Sequence, residues 1–312
     1  RFCKMTKEVI DPGVGKSSNR HAKRFVNPDG SFNIKHVNRV TSLSESYNYL
    51  VTISWGRFFL WVLLGYTLIN VIFALLYTVL GGSNFTEPMG SLFEDFANAF
   101  FFSAQTFTTV GYGAMAPKGV VYGIVSSIEA LVGLLSFSFV TGLLYGRFSR
   151  PRASIRFSED IVLRRHNDRD CIMFRLMSRS ANVMISPKIE ATLTLSHKDE
   201  DEKFVNNFYK LELERNSITY LPTTWTIVHP IDKQSPLYKY EREELTELKA
   251  EVLILVSYYD ESFKQEVHQA HSYTFLELKK DHRFVPAFYY DEKGYVVLDH
   301  DNLDKTVSSE EL

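Results

Sequence analysis

Between Phe58 and Thr86 the chain runs 29 residues without an Asp, Glu, Lys or Arg, and between Gly119 and Gly146 it runs 28 with Glu129 as the one exception. A helix needs about 20 predominantly apolar residues to cross a bilayer, where every backbone polar group must find its partner within the protein. Both stretches meet that demand, so a purely soluble enzyme is excluded. The overall composition conceals this, because 45% hydrophobic and 23% charged residues are ordinary values for a soluble chain. The charges are simply segregated.

That segregation sets the topology. Residues 1–57 carry a net charge of +6, residues 58–146 of −3, and residues 147–312 of −5. Arg57 precedes the first apolar stretch, and Arg147, Arg150 and Arg152 follow the second. Positive charge at these two ends predicts that both termini are cytoplasmic and that residues 81–118 face the other side. The two cysteines, Cys3 and Cys171, then both lie on the reducing side and form no disulfide framework. The polar, basic residues 1–41 show no cleavable signal, so the first span acts as its own insertion signal.

Composition divides the chain further. Residues 1–41 read as an irregular cytoplasmic segment. Residues 42–54 place Leu43, Tyr47, Leu50 and Val51 on one helical face, which predicts a helix lying in the membrane interface. The spans are assigned to 55–81 and 118–148. Between them, the uncharged residues 96–117 begin with Phe96, Phe100, Phe101 and Phe102 but run into a segment dense in Gly and Thr. This predicts a re-entrant half-helix over 91–107 and extended backbone over 108–113, a form tolerated at membrane depth only where it is buried or lines water. From residue 152 to 312, segments rich in Val, Ile, Thr, Tyr and Phe alternate with turns, as at Asp170–Ser178, Ile189–Ser196, Trp225–His229 and Ala250–Asp260. A hairpin is expected across Asp291–Gly294, and a short helix over Glu241–Leu248. The pattern is that of a β-sandwich or barrel.

Thr109-Val110-Gly111-Tyr112-Gly113 carries the chemistry. A dehydrating K⁺ needs a cage of oxygens, which backbone carbonyls supply if successive ones point to one axis. That requires dihedrals alternating in hand, and Gly111 and Gly113 allow them because they lack Cβ. The Thr109 hydroxyl adds a ligand at the inner end, while Val110 and Tyr112 wedge against the supporting helix. The five residues are similar to the potassium-channel selectivity filter, and that resemblance implies K⁺ at Thr109, Val110, Gly111 and Tyr112, with Thr108, Gln105 and Glu129 supporting the filter. One chain supplies a quarter of the cage, so the working unit is a homotetramer.

Three separate motifs identify a family. Beside the filter stand Thr141-Gly142-Leu143-Leu144-Tyr145-Gly146-Arg147-Phe148-Ser149-Arg150-Pro151-Arg152, and Thr226-Ile227-Val228-His229-Pro230-Ile231 followed by Ser235-Pro236-Leu237-Tyr238. Over roughly residues 40–300 the chain resembles the inward-rectifier potassium channels, and is most similar to their prokaryotic members. The resemblance implies a membrane all-α pore domain of two transmembrane helices, pore helix and slide helix, followed by a cytoplasmic all-β immunoglobulin-like sandwich. It implies a bacterial inner membrane, K⁺ as the permeant ion without further cofactor, anionic lipids as regulators, polyamines or Mg²⁺ as pore blockers, and no nucleic acid.

In the second span Glu129, Gly133, Phe137, Thr141 and Tyr145 recur every four residues, along one slowly drifting face. The resemblance implies that Gly133, Phe137 and Tyr145 serve as hinge, cavity lining and cytoplasmic constriction. Close helix packing at Gly133 and an interfacial belt role for Tyr145 stay open beside these. Glu129, alone ionisable in its span, marks a function or a buried partner that the sequence does not name. Two departures stand out. Phe137 occupies the position where strongly rectifying members carry an acid, so strong cavity block is not expected. Gln105 and Met115 replace the carboxylate–arginine pair that often braces the filter in the family. Asp260 matches a position lining the cytoplasmic pore. Arg57, Arg147, Arg150 and Arg152 are the expected contacts with anionic headgroups, besides setting topology.

Other readings were weighed against this one. Gly15-Lys16-Ser17 lacks the upstream glycine of a phosphate loop, and the nine His show no metal-ligand spacing. His229 and His271 are candidates for titration near neutral pH. An alternative to a lipid-gated channel is a two-span subunit whose cytoplasmic domain senses a small molecule. A membrane-anchored enzyme is unsupported by any nucleophile–base constellation.

Overall fold

The computed structural model describes residues 11–19, 21–38, 42–81, 91–116, 118–151, 153–179, 182–238 and 240–308. Cys3 and Arg152 lie outside them. The chain forms two compact units, one from residues 38–150 and one joining residues 1–37 to 151–312.

The first unit is helical. An interfacial helix α1 (Leu43–Thr52) begins at Ser42, whose side chain accepts the Glu45 N–H and satisfies one of the helix's free donors. The first span α2 (Trp55–Gly81) has 27 residues, about 40 Å of helix. Helix α3 (Leu92–Phe107) is started by Ser91 accepting the Glu94 N–H, with Glu94 and Asp95 in the first turn where the helix dipole favours acids. At 16 residues α3 is about 24 Å long, too short to cross a membrane. The second span α4 (Val120–Phe148) runs unbroken for 29 residues. Tyr77 of α2, Ala99 of α3 and Tyr122 of α4 pack into one core with Phe96, Phe100 and Phe102. Val51, Ile53 and Phe58 meet Leu143 in a second core that seats α1 on α4.

The second unit is a β-sandwich. One sheet holds β1 (Ile155–Phe157), β2 (Ile161–His166), β3 (Arg169–Ser178), β7 (Thr224–Pro230) and β10 (Leu278–Lys280). The other holds β4 (Met184–Lys198), β5 (Phe204–Lys210), β6 (Tyr220–Leu221), β8 (Glu251–Asp260) and β9 (Gln265–Thr274). Every ladder is antiparallel except β2 with β10. Alternation explains the sandwich. Ile189, Ala191, Leu193 and Leu195 point inward from β4 while Lys188 and Glu190 stay outside. They meet Val252, Ile254 and Val256 of β8 and Ile172, Phe174, Trp225 and Ile227 of the facing sheet in a single core. A short helix α5 (Arg242–Glu247) precedes β8. Two further ribbons, β11 (His282–Phe284) with β14 (Thr306–Ser308) and β12 (Phe288–Tyr290) with β13 (Val296–Leu298), follow β10.

The segment before α1 belongs to this unit, which its turn-rich sequence does not suggest. Ser18 N–H donates to the Phe204 carbonyl and Asn206 N–H to that of Lys16, so the segment lies along β5. The buried Glu251 carboxylate accepts the N–H groups of Phe25 and Val26, and Arg24 pairs with Glu277 at 2.8 Å.

Candidate functional site

The last turn of α3 leads directly into the motif. Thr108 caps the helix, its hydroxyl donating to the Ala104 carbonyl at 2.7 Å, and Val110 N–H returns to the Gln105 carbonyl at 2.9 Å. Beyond the cap, φ is positive at every second residue: +61° at Thr109, +52° at Gly111 and +80° at Gly113. Val110 and Tyr112 keep the ordinary sign. The backbone thus alternates in hand, the condition for turning successive carbonyls to one side. A Cβ built at Gly111 or Gly113 meets nothing within 4 Å, so backbone hand rather than space requires glycine there. Thr109 shares that hand despite its branched side chain, a position the sequence did not mark. A left-handed Thr costs roughly 1–2 kcal/mol.

The loop rests on α4. A Cβ at Gly133 would lie 2.0 Å from the Phe107 carbonyl oxygen, so only glycine admits the end of α3 at that point. This is close packing, and α4 continues through Gly133 without a break.

The four-residue stripe does not stay on one face. Glu129 and Gly133 are buried against α2 and α3, whereas Phe137 and Tyr145 are 73% and 74% exposed in the single chain and Thr141 is exposed with them. The reason is geometric. Four residues at 3.6 per turn advance about 40° past a full turn, so the stripe rotates about 160° between Glu129 and Tyr145.

Glu129 has partners on two other helices. Tyr77 O–H of α2 donates to its Oε2 at 2.7 Å, and Ser103 Oγ of α3 is in hydrogen-bond contact with its Oε1. Ser103 Oγ also contacts Asn70 Oδ1 at 2.9 Å, and Asn70 Nδ2 donates to the Tyr66 carbonyl at 2.7 Å. Asn70, Ser103 and Glu129 are fully buried. Asn70, Tyr77 and Ser103 were not among the residues expected at the site from sequence. Their signal was polarity: from Phe58 to Gly81, Asn70 stands in a span otherwise of apolar, Thr and Tyr residues.

The four arginines separate. Arg57 and Arg150 are exposed, and Arg152 lies outside the described residues. Arg147, expected at the headgroups, is turned inward and only 8% exposed. Its guanidinium donates to the carbonyls of Leu50 at 2.6 Å and Ile53 at 2.7 Å, and lies over the rings of Trp55 at 4.4 Å and Phe58 at 4.7 Å. It therefore satisfies carbonyls that the end of α1 leaves free. A cation at that end also complements the helix dipole.

In the second unit, one Asp260 oxygen accepts the N–H groups of Ser262 and Phe263, closing the turn between β8 and β9. His229 and His271, which nothing in the sequence singles out, are buried. His229 sits between the Glu212 carbonyl on Nδ1 and the Ser235 hydroxyl on Nε2, and burial lowers its pKa. His271 stacks on Phe157 with ring centroids 4.4 Å apart. Burial first, and the charge of Arg24 second, push its pKa down to about 4. His271 is thus neutral at pH 7.

Comparison with known proteins gives concordant likenesses. Residues 155–311 match the family model of the inward rectifier potassium channel C-terminal domain, and residues 66–150 match an ion channel model. The chain is 33% identical over 267 residues to the inward rectifier potassium channel Kirbac3.1 of Paramagnetospirillum magnetotacticum, covering 85% of this chain and 89% of that one. It is 24% identical over 314 residues to the G protein-activated inward rectifier potassium channel 4 of Bos taurus, and 23% identical to that of Homo sapiens, covering 91% of this chain and 73% of each relative. A DNA glycosylase structure from Pseudomonas fluorescens superposes with a TM-score of 0.19, which carries no argument.

Proposed function

The chain belongs to the inward-rectifier potassium channel family, a membrane protein with a helical pore unit and a β-sandwich, and from that premise we propose that four copies assemble around the Thr109–Gly113 loops into one K⁺-selective pore. The observation that carries this reading is the alternation of backbone hand at Thr109, Gly111 and Gly113 directly after the end of α3. Carbonyls turned to one side, from four chains, replace the water shell of the ion. Helix α3 presents its negative end to the same place, which favours a cation there.

Conduction is gated where Phe137, Thr141 and Tyr145 share the exposed face of α4, with Tyr145 as the constriction. An aromatic Phe137 leaves the cavity without a fixed acid, so rectification at that point is weak, and polyamines or Mg²⁺ act elsewhere, in the field of acids such as Asp260. Both termini are cytoplasmic, in a bacterial inner membrane. The exposed Arg57 and Arg150, with Arg152, meet anionic lipid headgroups. Arg147 works differently, tying the end of α1 to α4 two residues beyond Tyr145. Movement of the interfacial helix is thereby transmitted to the constriction.

Tracer flux from liposomes under K⁺ and Na⁺ gradients tests the reading. Uptake selective for K⁺ is expected, and Gly111→Asp abolishes it because a side chain disfavours the left-handed backbone. Equal permeation of Na⁺, or selective flux retained in Gly111→Asp, overturns it.

A further inference from the structure

The polar cluster buried among α2, α3 and α4 contains more oxygen–oxygen contacts than its hydroxyls can fill. Three contacts lie in series: Tyr77 Oη to Glu129 Oε2, Glu129 Oε1 to Ser103 Oγ, and Ser103 Oγ to Asn70 Oδ1. Each needs one hydrogen. Tyr77 and Ser103 bring one apiece. The Asn70 amide cannot supply the third, because its Nδ2 faces the Tyr66 carbonyl, an acceptor only, which leaves Oδ1 toward Ser103. With an ionised Glu129, one pair of acceptor oxygens would face each other without a proton, deep in the membrane.

We propose that Glu129 is a neutral carboxylic acid whose proton completes this relay, and that Asn70, Ser103 and Tyr77 act through it as positioning residues for the filter. In this arrangement Oε1–H donates to Ser103, Ser103 to Asn70, Asn70 to Tyr66, and Tyr77 to Oε2. Every contact is then filled, and no net charge is buried. The relay grips α3 at Ser103, one helical turn before Phe107, while Gly133, one turn after Glu129, receives the Phe107 carbonyl. Two adjacent turns of α4 thus hold the last turn of the helix that leads into Thr108. The arrangement occupies the structural role left vacant by Gln105 and Met115. It rests on the channel reading only for its consequence, not for the proton itself.

The titratable groups facing Glu129 are Tyr77 from α2 and, stacked on that ring at 6.4 Å, Tyr122 of α4. From α3 it meets only the Ser103 hydroxyl among described hydrogen bonds. The other charged side chains of these helices, Arg57, Glu94, Asp95 and Arg147, stand toward helix ends. Among the described residues, no Lys, Arg or His side chain hydrogen-bonds or ion-pairs with Glu129.

Infrared spectroscopy of the full chain in lipid tests the proton directly. The carbonyl stretch of a protonated carboxylic acid should be present at neutral pH, disappear in Glu129→Gln, and move to higher frequency in Tyr77→Phe, which removes the donor to Oε2. Absence of a band that Glu129→Gln removes overturns the proposal. Liposome flux tests the consequence. Gln is isosteric and can both donate to Ser103 and accept from Tyr77, so Glu129→Gln should keep K⁺-selective flux within about twofold and Glu129→Ala should lose about tenfold, the cost of a buried contact left unmade. Raising the pH from neutral to about 10 should lower flux in the parent chain but not in Glu129→Gln. A Glu129→Gln protein that assembles normally yet conducts as poorly as Glu129→Ala would mean that the charge is needed, and the proposal fails. A parent chain that conducts without selectivity would sink the channel reading, while the infrared band still decides the proton.

Discussion

The carbonyl oxygen of Phe107, the last residue of α3, reaches so far into α4 that a methyl group on Gly133 would lie 2.0 Å from it. Real carbon–oxygen contacts do not approach that distance, so Gly133→Ala must separate the two helices. We expect the variant to lose about 1–3 kcal/mol of stability by overpacking, and K⁺ selectivity with it, because the Thr109–Gly113 loop begins two residues beyond Phe107. Gly123→Ala on the same helix meets nothing within 4 Å and should be neutral or slightly stabilising, by up to about 1 kcal/mol of helix propensity. Thermal unfolding in detergent and the K⁺/Na⁺ flux ratio check both.

Arg147 makes a second close tie, to the end of α1. Arg147→Ala removes two charge-assisted hydrogen bonds and the contact with Trp55 and Phe58, and should cost about 2–3 kcal/mol locally. Arg147→Lys should recover only part, since a single ammonium cannot reproduce a planar fork that bridges two carbonyls. Hydrogen exchange at the amides of α1 is the readout, with faster exchange expected in the order parent, Lys, Ala.

Exposed and buried arginines should differ in their response to lipid. Replacing Arg57 or Arg150 by Gln should weaken binding to anionic lipid, by about 1 kcal/mol per charge and less at high salt. Arg147→Gln should change flux without a change in salt dependence. Identical salt profiles for the three variants would contradict the separation seen in the structure.

Acidification should destabilise the cytoplasmic unit through His271. Its pKa is near 6.5 in an unfolded chain and about 4 when folded. The unfolded state therefore binds more protons between these values, and stability falls as pH drops from about 6.5 to 4, by at most about 3 kcal/mol. His229, also lowered by burial, acts in the same direction. His271→Phe keeps the ring against Phe157 and removes the titration, so its thermal midpoint should depend less on pH than that of the parent.

Much of this was legible because the physics is local. An uncharged run of sufficient length is long and apolar enough to cross a membrane, and a motif of alternating glycines can be read for its backbone. The strands at Ile189–Ser196 and Ala250–Asp260 announce themselves by alternation. Strand β9, by contrast, carries His271 and Ser272 at buried positions where an apolar residue would signal a strand, and its pairing with β8 depends on that neighbour. The docked segment before α1 was illegible for the same reason, as its partners Glu251 and Glu277 lie more than 200 residues away.

What the order of amino acids determined by itself is a pair of membrane spans and a β-rich domain, since each follows from local patterns of hydropathy and alternation. Only the tertiary structure decided which polar groups are partners. Whether an arginine caps a helix or faces lipid, and whether a lone glutamate has a donor, depends on the rotation of one helix against another. A drift of about 40° for every four residues carries Glu129 inward and Tyr145 outward, and its consequence appears only once α2 and α3 stand beside α4.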